Sequence, residues 1–544
     1  MIKNITTTLL LLSINIFSFG QHLTQTGEVA PEHPRLVLMI ILDNVTNQQL
    51  QLVRNRLSSD GFNRIMGMGT QVVDAYYDAG GNYTGKNLAS LYTGAPAATH
   101  GIVGEQWIDN FSNRRMHAIY GDAYTMPSGK LDTAAVCGNS QLLCSTIGNE
   151  IRKMYNQKSK IFTVGLHPDN LMWCSGTRVS EPVICFNTKT GEMEPQNISN
   201  DSTLQWIRDF NSKRMQDIYL DKIWAPTHDI LTYHASKYFP DADKKAFYHS
   251  MRPTVSAGSD KYAHLAGSPY GNILVRDFAT ALMLMEDLGK DEIPDMLTLE
   301  FSTTPSVAPK QQPRDAESED RLIQLDLSIA SLLKVIDQNI GMHNTLVVVT
   351  AASGGHDLQS TTSEHWANMG VVSMRRASAL LNLYLIALYG QAPYIRNYAP
   401  GAIYIDRKVA EERHVSFDSL LTLSADFLAQ VKGIERAIAG KDLEKLNNEQ
   451  PIVNMLRRNY HPKRSGDILI YLQPGWAEEL DDGSQMQQIW AQEQVPLCFY
   501  GWRIPHKILY EPHPMTDVAP TLSTFIGVSK PNACSGTALP IVDK

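Results

Sequence analysis

The sequence lacks the excess of basic residues that is typical of nucleic-acid-binding proteins. Its 48 Lys and Arg residues are outnumbered by 56 Asp and Glu residues, which gives a formal net charge of -8 at pH 7. This balance provides no general electrostatic attraction for a phosphate backbone. We therefore expect no nucleic-acid partner.

Long apolar runs are also absent after the N-terminus. The first residues carry Lys3, an apolar stretch from Leu9 to Phe19, and small residues at Ser18 and Gly20. This arrangement is typical of a secretory signal peptide, and the run is short for a membrane-spanning helix. We predict a signal peptide at 1–20 and no transmembrane segment after its cleavage. The protein is expected to be exported to the periplasm, with secretion or the cell surface as alternatives.

Cysteine is scarce, and its spacing argues against a zinc ribbon. The six cysteines include no C-x-x-C pair, which such a site would need. An even number of cysteines in an exported chain permits disulfides, and we expect at least one, with buried free thiols as the alternative. The pairings considered are Cys137 with Cys144, Cys174 with Cys185, and Cys498 with Cys534.

Short, β-rich apolar runs alternate with amphipathic helical patterns along the chain. The clearest runs are 36–42, 160–166, 296–301 and 345–350, and ILIYL and PLCFYGW follow later. Strands that alternate with helices predict an α/β fold with a mainly parallel central sheet and helices on both of its faces.

Two stretches of the sequence interrupt this alternation. Residues from about 110 to 269 are rich in turns, aromatic residues and cysteine, and residues from about 400 to 466 are helical and charged. We interpret both as insertions that decorate one domain spanning residues 21–544.

Two residues near the N-terminus suit metal-assisted attack on phosphorus. Asp43 directly follows the first apolar run, and Thr84 lies where a turn enters a short helix that Gly94 ends. Ligands of parallel α/β sheets bind beyond the carboxyl ends of the strands, and a helix N-terminus favours an anion. A metal ion could activate the hydroxyl of Thr84, but such a site needs several further His and Asp ligands.

Five segments resemble the alkaline phosphatase superfamily and occur in the order expected of that family. They are LVLMIILD, YTGKNLASLYTGAPAATHGIVGEQW, DFNSKRMQDIYLDKIW, SPYGNILVRDFATALMLMEDLGKDEIPDMLTLEFSTT and VPLCFYGW. More narrowly, they are similar to the secreted, threonine-nucleophile, phosphate-irrepressible phosphatases of Bacteroidetes. The resemblance covers nearly the whole mature chain and implies an alkaline-phosphatase-like central sheet.

The resemblance also implies a site for two zinc ions, most of whose ligands are replaced here. Asp43 matches the Asp after the first strand, and Thr84 matches the nucleophile. The other ligand positions fall on residues that the family does not use: Pro305, Pro309, Ala352, Ser353 and Gln494. Because one carboxylate and one neutral hydroxyl cannot hold zinc tightly, we expect no cofactor, and zinc only if the site has been rebuilt.

The family's phosphate-holding positions differ as well. They fall on Glu105, where the family has Asn, and on His167 and Asp169, where it has Lys and Arg. With Asp43, these residues predict a negatively charged cleft that repels a phosphate dianion. His356 and Asp357 are candidate replacement ligands if their loop shifts; the alternative is a surface loop pair.

Two other residues near the helix are interpreted as having no role in the site. Lys86 is expected to be a solvated helix residue, with phosphate binding as the alternative. His100, in the turn that follows the helix, is expected to be structural.

Three functions are compatible with these residues. The first is a pseudoenzyme that binds an unknown protein or glycan or serves as a structural subunit of the cell envelope. The second is a metal-dependent phosphomonoesterase or phosphodiesterase that uses Thr84 with His356, Asp357 or Glu105 recruited to a metal. The third is a module whose acidic cleft binds a cation or an amine. The loss of the matched ligands favours the first.

Overall fold

The computed structural model describes most of the chain with several gaps. The described residues are 30–43, 45–78, 83–120, 137–176, 181–197, 205–234, 247–252, 260–303, 316–353, 370–446, 451–481, 483, 485–487 and 492–541. The predicted signal peptide lies outside these ranges, as do Pro305, Pro309, His356 and Asp357. No helix in the described ranges is long and apolar enough to cross a membrane.

The described strands and helices follow one another along the whole chain. The strands are β1 (Leu36–Asp43), β2 (Thr70–Tyr77), β3 (Gln106–Ile108), β4 (Arg115–His117), β5 (Ile161–Gly165), β6 (Val183–Phe186), β7 (Met193–Pro195), β8 (Ile223–Trp224), β9 (His249–Ser250), β10 (Asp295–Ser302), β11 (Thr345–Ala351), β12 (Val371–Ser373), β13 (Ile395–Ala399), β14 (Ala402–Ile405), β15 (Ile434–Ala439), β16 (Ile468–Leu472), β17 (Ala477–Glu479), β18 (Gln485–Gln487), β19 (Glu493–Gly501), β20 (Lys507–Leu509) and β21 (His513–Pro514). The α-helices are α1 (Asn47–Val53), α2 (Phe62–Met68), α3 (Thr84–Thr93), α4 (Ala97–His100), α5 (Ile147–Met154), α6 (Pro168–Leu171), α7 (Gln205–Ser212), α8 (Met215–Leu220), α9 (Ala263–Ala266), α10 (Pro269–Met285), α11 (Ala316–Asn339), α12 (Met374–Tyr389), α13 (Arg407–Glu412), α14 (Phe417–Leu428), α15 (Pro451–Asn459) and α16 (Val518–Ile526).

A ten-stranded sheet with the order β20-β2-β19-β11-β1-β10-β5-β6-β7 forms the centre of the molecule, and β21 pairs with β2. Most neighbours are parallel, whereas β19 runs antiparallel to both β11 and β2. Strands β10 and β11 are buried along their whole length, and β1 is buried up to its last residue. Parallel strands that are buried in this way need cover on both faces, so the predicted mainly parallel α/β fold is confirmed.

A second, smaller core lies apart from the central sheet. It includes Leu381 of α12, Leu420 of α14 and Ile470 of β16, and all three are buried. The antiparallel sheet β13-β14-β16-β15 belongs to this unit, and the sheet β12-β17-β18 lies in the same part of the chain. This part begins at β12, well before the predicted insertion at 400–466, and it contains two sheets in addition to helices. The run ILIYL forms β16 and therefore does not belong to the central sheet.

The stretch predicted as the first insertion also differs from the expectation. Strands β5, β6 and β7 lie within 110–269, yet all three join the central sheet. In the described part of this stretch, β8 and β9 form a separate two-stranded sheet, and β4 pairs outside the central sheet with β3, which precedes residue 110. Strands β6 and β7 are short and follow one another closely, so their apolar signal is weaker than that of β1 or β11.

Candidate active site

Asp43 lies at the carboxyl end of β1, where its side chain is partly exposed. The parallel register places it beside Ser302, the last residue of β10. The Ser302 hydroxyl donates to Asp43 Oδ2 at 3.2 Å. Asn272 of α10 fixes this serine, because its amide exchanges two hydrogen bonds with the Ser302 backbone, at 2.8 and 2.9 Å. The position of the carboxylate is therefore set by the sheet and by α10.

Thr84 is the first residue of α3, and Gly94 ends this helix with a φ of 65°. The predicted short helix from Thr84 to its end at Gly94 is thus confirmed, whereas residues 79–82 before it lie outside the described ranges. The backbone N–H groups and the dipole of the first turn favour a negative charge beside Thr84.

Hydrogen bonds connect the first turn of α3 to the carboxyl ends of β1 and β11. Ala352 N donates to Leu42 O at 2.8 Å, and Asn87 Nδ2 donates to Ala352 O at 3.2 Å. Asn87 follows Thr84 by three residues, and residues at this spacing are neighbours on a helix surface. These bonds place Asp43 and Thr84 at the same edge of the sheet, as the sequence predicts.

A buried lysine follows Thr84 by two residues in α3. Lys86 is only 2% exposed. Burial lowers its pKa to about 8, and the nearby Glu493 carboxylate opposes this effect. Asn87 Nδ2 also donates to Glu493 Oε2 at 2.9 Å. We call Lys86, Asn87 and Glu493 the lysine cluster. The interpretation of Lys86 as a solvated residue is wrong, since α3 is buried from Gly85 to Ala89.

The lysine cluster connects α3 to the ends of β11 and β19. In the phosphatases that the sequence resembles, these two strand ends carry metal ligands. Ala352 follows β11 and is buried, and its side chain offers no donor to a metal. Gln494 of β19 is exposed, and its Nε2 donates to Asp74 Oδ1 at 3.0 Å. Because side chains alternate between the faces of a strand, Glu493 faces α3 whereas Gln494 does not.

A second buried charge lies beneath His167. Glu300 of β10 is fully buried and accepts hydrogen bonds from the backbone N–H groups of Leu166 and His167, at 3.0 and 2.9 Å. Its other oxygen lies 3.3 Å from His167 Nδ1 and accepts from Asn170 Nδ2 at 3.3 Å. Sequence reasoning missed Glu300, although it is the only charged residue of the run MLTLEF.

The two charges of this pair stabilise each other. Burial alone would raise the pKa of Glu300, but His167 outweighs it and the pKa is lowered. Burial alone would lower the pKa of His167, but Glu300, with smaller contributions from Asp43 and Asp169, raises it to about 9. His167 is therefore a cation at neutral pH whose charge is matched by a buried carboxylate.

The remaining predicted substrate positions converge near Tyr83. Tyr83 OH donates to the Asp169 carbonyl oxygen at 3.1 Å, and Trp173 Nε1 donates to Tyr83 OH at 3.3 Å. Partial loss of water around the Asp169 carboxyl group raises its pKa; His117 opposes this rise and Glu105 adds to it. The Glu105 carboxylate lies 3.5 Å from His117 Nε2. Glu105 and Asp169 thus line the same edge of the molecule as His167.

His100 has the structural role predicted for it. It is fully buried, Ser90 Oγ lies 3.0 Å from its Nε2, and its Nδ1 accepts from Ile102 N at 3.1 Å. Burial lowers its pKa to about 3, with Lys86 and Arg464 adding to the effect. The ring is therefore neutral, and it fixes the turn after α4.

The residues in the described ranges do not fit a two-zinc site. No group of three or more His, Cys, Asp or Glu side chains in these ranges is placed to hold a metal ion. Asp43 and Thr84 provide one carboxylate and one hydroxyl, whereas a protein zinc site has about four donors. Glu493, which shares the Asn87 amide with the Ala352 carbonyl oxygen, is hydrogen-bonded within the lysine cluster.

One protein family matches most of the chain. The family described as type I phosphodiesterase / nucleotide pyrophosphatase matches residues 37–494. The chain belongs to this family. Its membership confirms the resemblance to the alkaline phosphatase superfamily that the five sequence segments indicated.

Two known proteins match the chain over nearly its full length. A protein of Myroides odoratus named calcium-transporting ATPase is 25% identical and covers 93% of this chain and 94% of its own length. The alkaline phosphatase PafA of Elizabethkingia meningoseptica is 23% identical, with coverage of 93% and 94%. A crystal structure of PafA superposes with a TM-score of 0.78, covering 95% of this chain and 100% of PafA at 21% identity.

Proposed function

We propose that this protein is a catalytically degenerate member of the phosphodiesterase family, with a binding or structural role in the cell envelope and an unidentified protein or envelope component as its partner. The observation that carries the proposal is the lysine cluster. It bonds the helix that bears Thr84 to the ends of β11 and β19.

The lysine cluster makes the site unfavourable for a divalent cation. At neutral pH the Lys86 ammonium is a positive charge that would repel a metal ion nearby, and it already interacts with the Glu493 carboxylate. A hydrolase of this kind also stabilises charge on the transferring phosphoryl group with preorganised cations. Here Asp43, Glu105 and Asp169 present carboxylates to the cleft, and the charge of His167 is matched by Glu300.

The zinc content of the purified mature protein tests this proposal. After incubation with excess zinc and desalting, elemental analysis is expected to find close to no bound zinc, because the described donors cannot complete a tetrahedral site. An active alkaline phosphatase of the family, carried through the same steps, is the positive control. One or two tightly held ions that are lost in Asp43→Ala would overturn the proposal.

A second candidate is a metal-dependent phosphomonoesterase or phosphodiesterase. It is favoured by one observation: Thr84 keeps its place at the N-terminus of a ten-residue helix at the same sheet edge as Asp43. Assays with phosphomonoesters and phosphodiesters in the presence of zinc, magnesium or calcium distinguish the two candidates. Turnover that disappears in both Thr84→Ala and Asp43→Ala would establish the second candidate. Turnover that survives in Thr84→Ala would come from a contaminant.

A further inference from the structure

The C-terminal tail lies against the segment that precedes α5. Ser145 N donates to Asn532 Oδ1 at 3.0 Å, and Asn532 N donates back to Ser145 Oγ at 2.9 Å. These reciprocal bonds hold two segments side by side that are 387 residues apart in sequence. Each segment carries a cysteine within two residues of the bonded pair: Cys144 in one and Cys534 in the other.

Both cysteines lie at the carboxyl end of α3. Cys534 Sγ packs so closely against Gly94 that a Cβ on this glycine would lie 2.5 Å from the sulfur. The next two residues of the tail donate their N–H groups to Gly94 O, at 2.9 and 3.2 Å. Cys144 is buried, which raises the pKa of its thiol to about 11; the side chain of Thr93, the residue before Gly94, opposes this rise and Cys534 adds to it. The Ser145–Asn532 bonds bring the segments of Cys144 and Cys534 side by side at this end of α3.

The other cysteines have different surroundings. Cys498 lies in the middle of β19, and burial is the only influence on its pKa. Burial is also the largest influence on the pKa of Cys137, Cys174 and Cys185. All six cysteines are thiols in the structure. The pairs considered from the sequence were Cys137 with Cys144, Cys174 with Cys185, and Cys498 with Cys534; none of them joins the two cysteines whose segments the Ser145–Asn532 bonds bring side by side.

We propose that Cys144 and Cys534 are oxidised to a disulfide that fastens the C-terminal tail across the end of α3. The oxidant is a disulfide, either oxidised glutathione or a thiol–disulfide oxidoreductase. Partly exposed Cys534 first exchanges with the oxidant to give a mixed disulfide, and the thiolate of Cys144 then displaces the second thiol. One protein S–S bond forms, the S–S bond of the oxidant is reduced, and the two protons of the cysteine thiols end on the two thiols released from the oxidant.

This bond would fix α3 from the end opposite Thr84. The tail already contacts the helix through Gly94, and the lysine cluster already ties its first turn to β11 and β19. A disulfide that closes a loop of nearly four hundred residues also restricts the unfolded chain strongly, within the entropic account of disulfide stabilisation.

Non-reducing peptide mapping of the mature protein tests the proposal without a variant. The reduced protein is incubated in a glutathione redox buffer, alkylated under denaturing conditions, digested and analysed by mass spectrometry. We expect one linked peptide pair that contains Cys144 and Cys534, and loss of two of the six alkylatable thiols. Six free thiols after oxidation, or a link between other cysteines, would overturn it. The oxidation is carried out in vitro, so the result does not depend on the export or the catalytic state of the protein.

Thermal unfolding of serine variants gives an independent measurement. Cys144→Ser, Cys534→Ser and the double variant should show the same fall in Tm relative to the oxidised protein, and dithiothreitol should remove most of the difference. Cys498→Ser is the matched control, because the effect of dithiothreitol on its Tm should equal that on the wild-type protein. Additive losses in the double variant would contradict a shared bond.

Discussion

Replacing Glu493 with Ala is expected to lower the free energy of unfolding by about 3 kcal/mol at pH 7. Lys86 is almost completely buried, and Glu493 is the carboxylate that opposes the effect of burial on its pKa. Removing Glu493 would leave the buried charge of Lys86 without the carboxylate that opposes the cost of its burial, which is destabilising. Asn87 Nδ2 would also lose its bond to Glu493. Urea denaturation, followed by circular dichroism, measures the effect.

The adjacent residue provides a matched control. Gln494→Ala changes an exposed side chain of the same strand end and should alter the free energy of unfolding by no more than about 0.5 kcal/mol. The double variant Lys86→Met, Glu493→Gln should regain most of the stability that Glu493→Ala loses, because an apolar side chain of similar length replaces a buried charge. If Glu493→Ala and Gln494→Ala lowered the free energy of unfolding equally, Glu493 would not be stabilising the buried charge of Lys86.

The pH dependence of stability gives a second test of the buried Lys86. The folded-state pKa of Lys86, about 8, lies below its ordinary value of 10.5. Between these two values the unfolded chain binds more protons at this residue, so its contribution makes stability rise as the pH increases. Lys86→Met should abolish this rise.

Replacing Glu300 with Gln is expected to lower the free energy of unfolding by about 2 kcal/mol at pH 6–7, less than for a fully buried ion pair, because the His167 side chain is 44% exposed and water screens part of the interaction. Glu300 is fully buried and accepts bonds from two backbone N–H groups in addition to pairing with His167. The glutamine keeps the shape of the side chain but not its charge. The pKa of His167, about 9 in the native protein, should fall markedly, and NMR titration of its ring protons measures this change.

Stability should respond to pH on both sides of the window in which Glu300 and His167 are charged. The raised pKa of His167 contributes stability that is fully present below pH 6.5 and is lost as the pH rises through about 9. The lowered pKa of Glu300 contributes stability that is present above pH 4.5 and is lost as the pH falls through the folded-state pKa. Glu300→Gln should remove both contributions.

A pair of the same chemistry whose carboxylate is only partly buried controls for the burial of Glu300. His249 Nε2 lies 3.2 Å from Glu317 Oε1, and their side chains are 38% and 19% exposed. Glu317→Gln should change the free energy of unfolding by less than about 1 kcal/mol, as is usual for exposed pairs. An equally small effect of Glu300→Gln would mean that the buried pair contributes little to stability.

The backbone of the site could be predicted from sequence, whereas its charge pairing could not. Strand β1 and helix α3 have strong local signals, namely a continuous apolar run that ends at Asp43 and a glycine that stops the helix after Thr84. Lys86 and Glu493 are 407 positions apart, and neither signals its partner locally. A single charge within an otherwise apolar run, as at Glu300, was the available clue, and it does not identify the residue that pairs with it.

The antiparallel strand β19 has a consequence for how the chain folds. It lies between β2 and β11 in the sheet, yet in the sequence it follows β11 by some 140 residues and β2 by more than 400. Until β19 has been synthesised and has paired, both of these strands have an unpaired edge that is open to pairing with other chains. Folding of the central sheet therefore cannot be completed during synthesis before the C-terminal region has emerged, and fragments that end before Glu493 should be prone to aggregate.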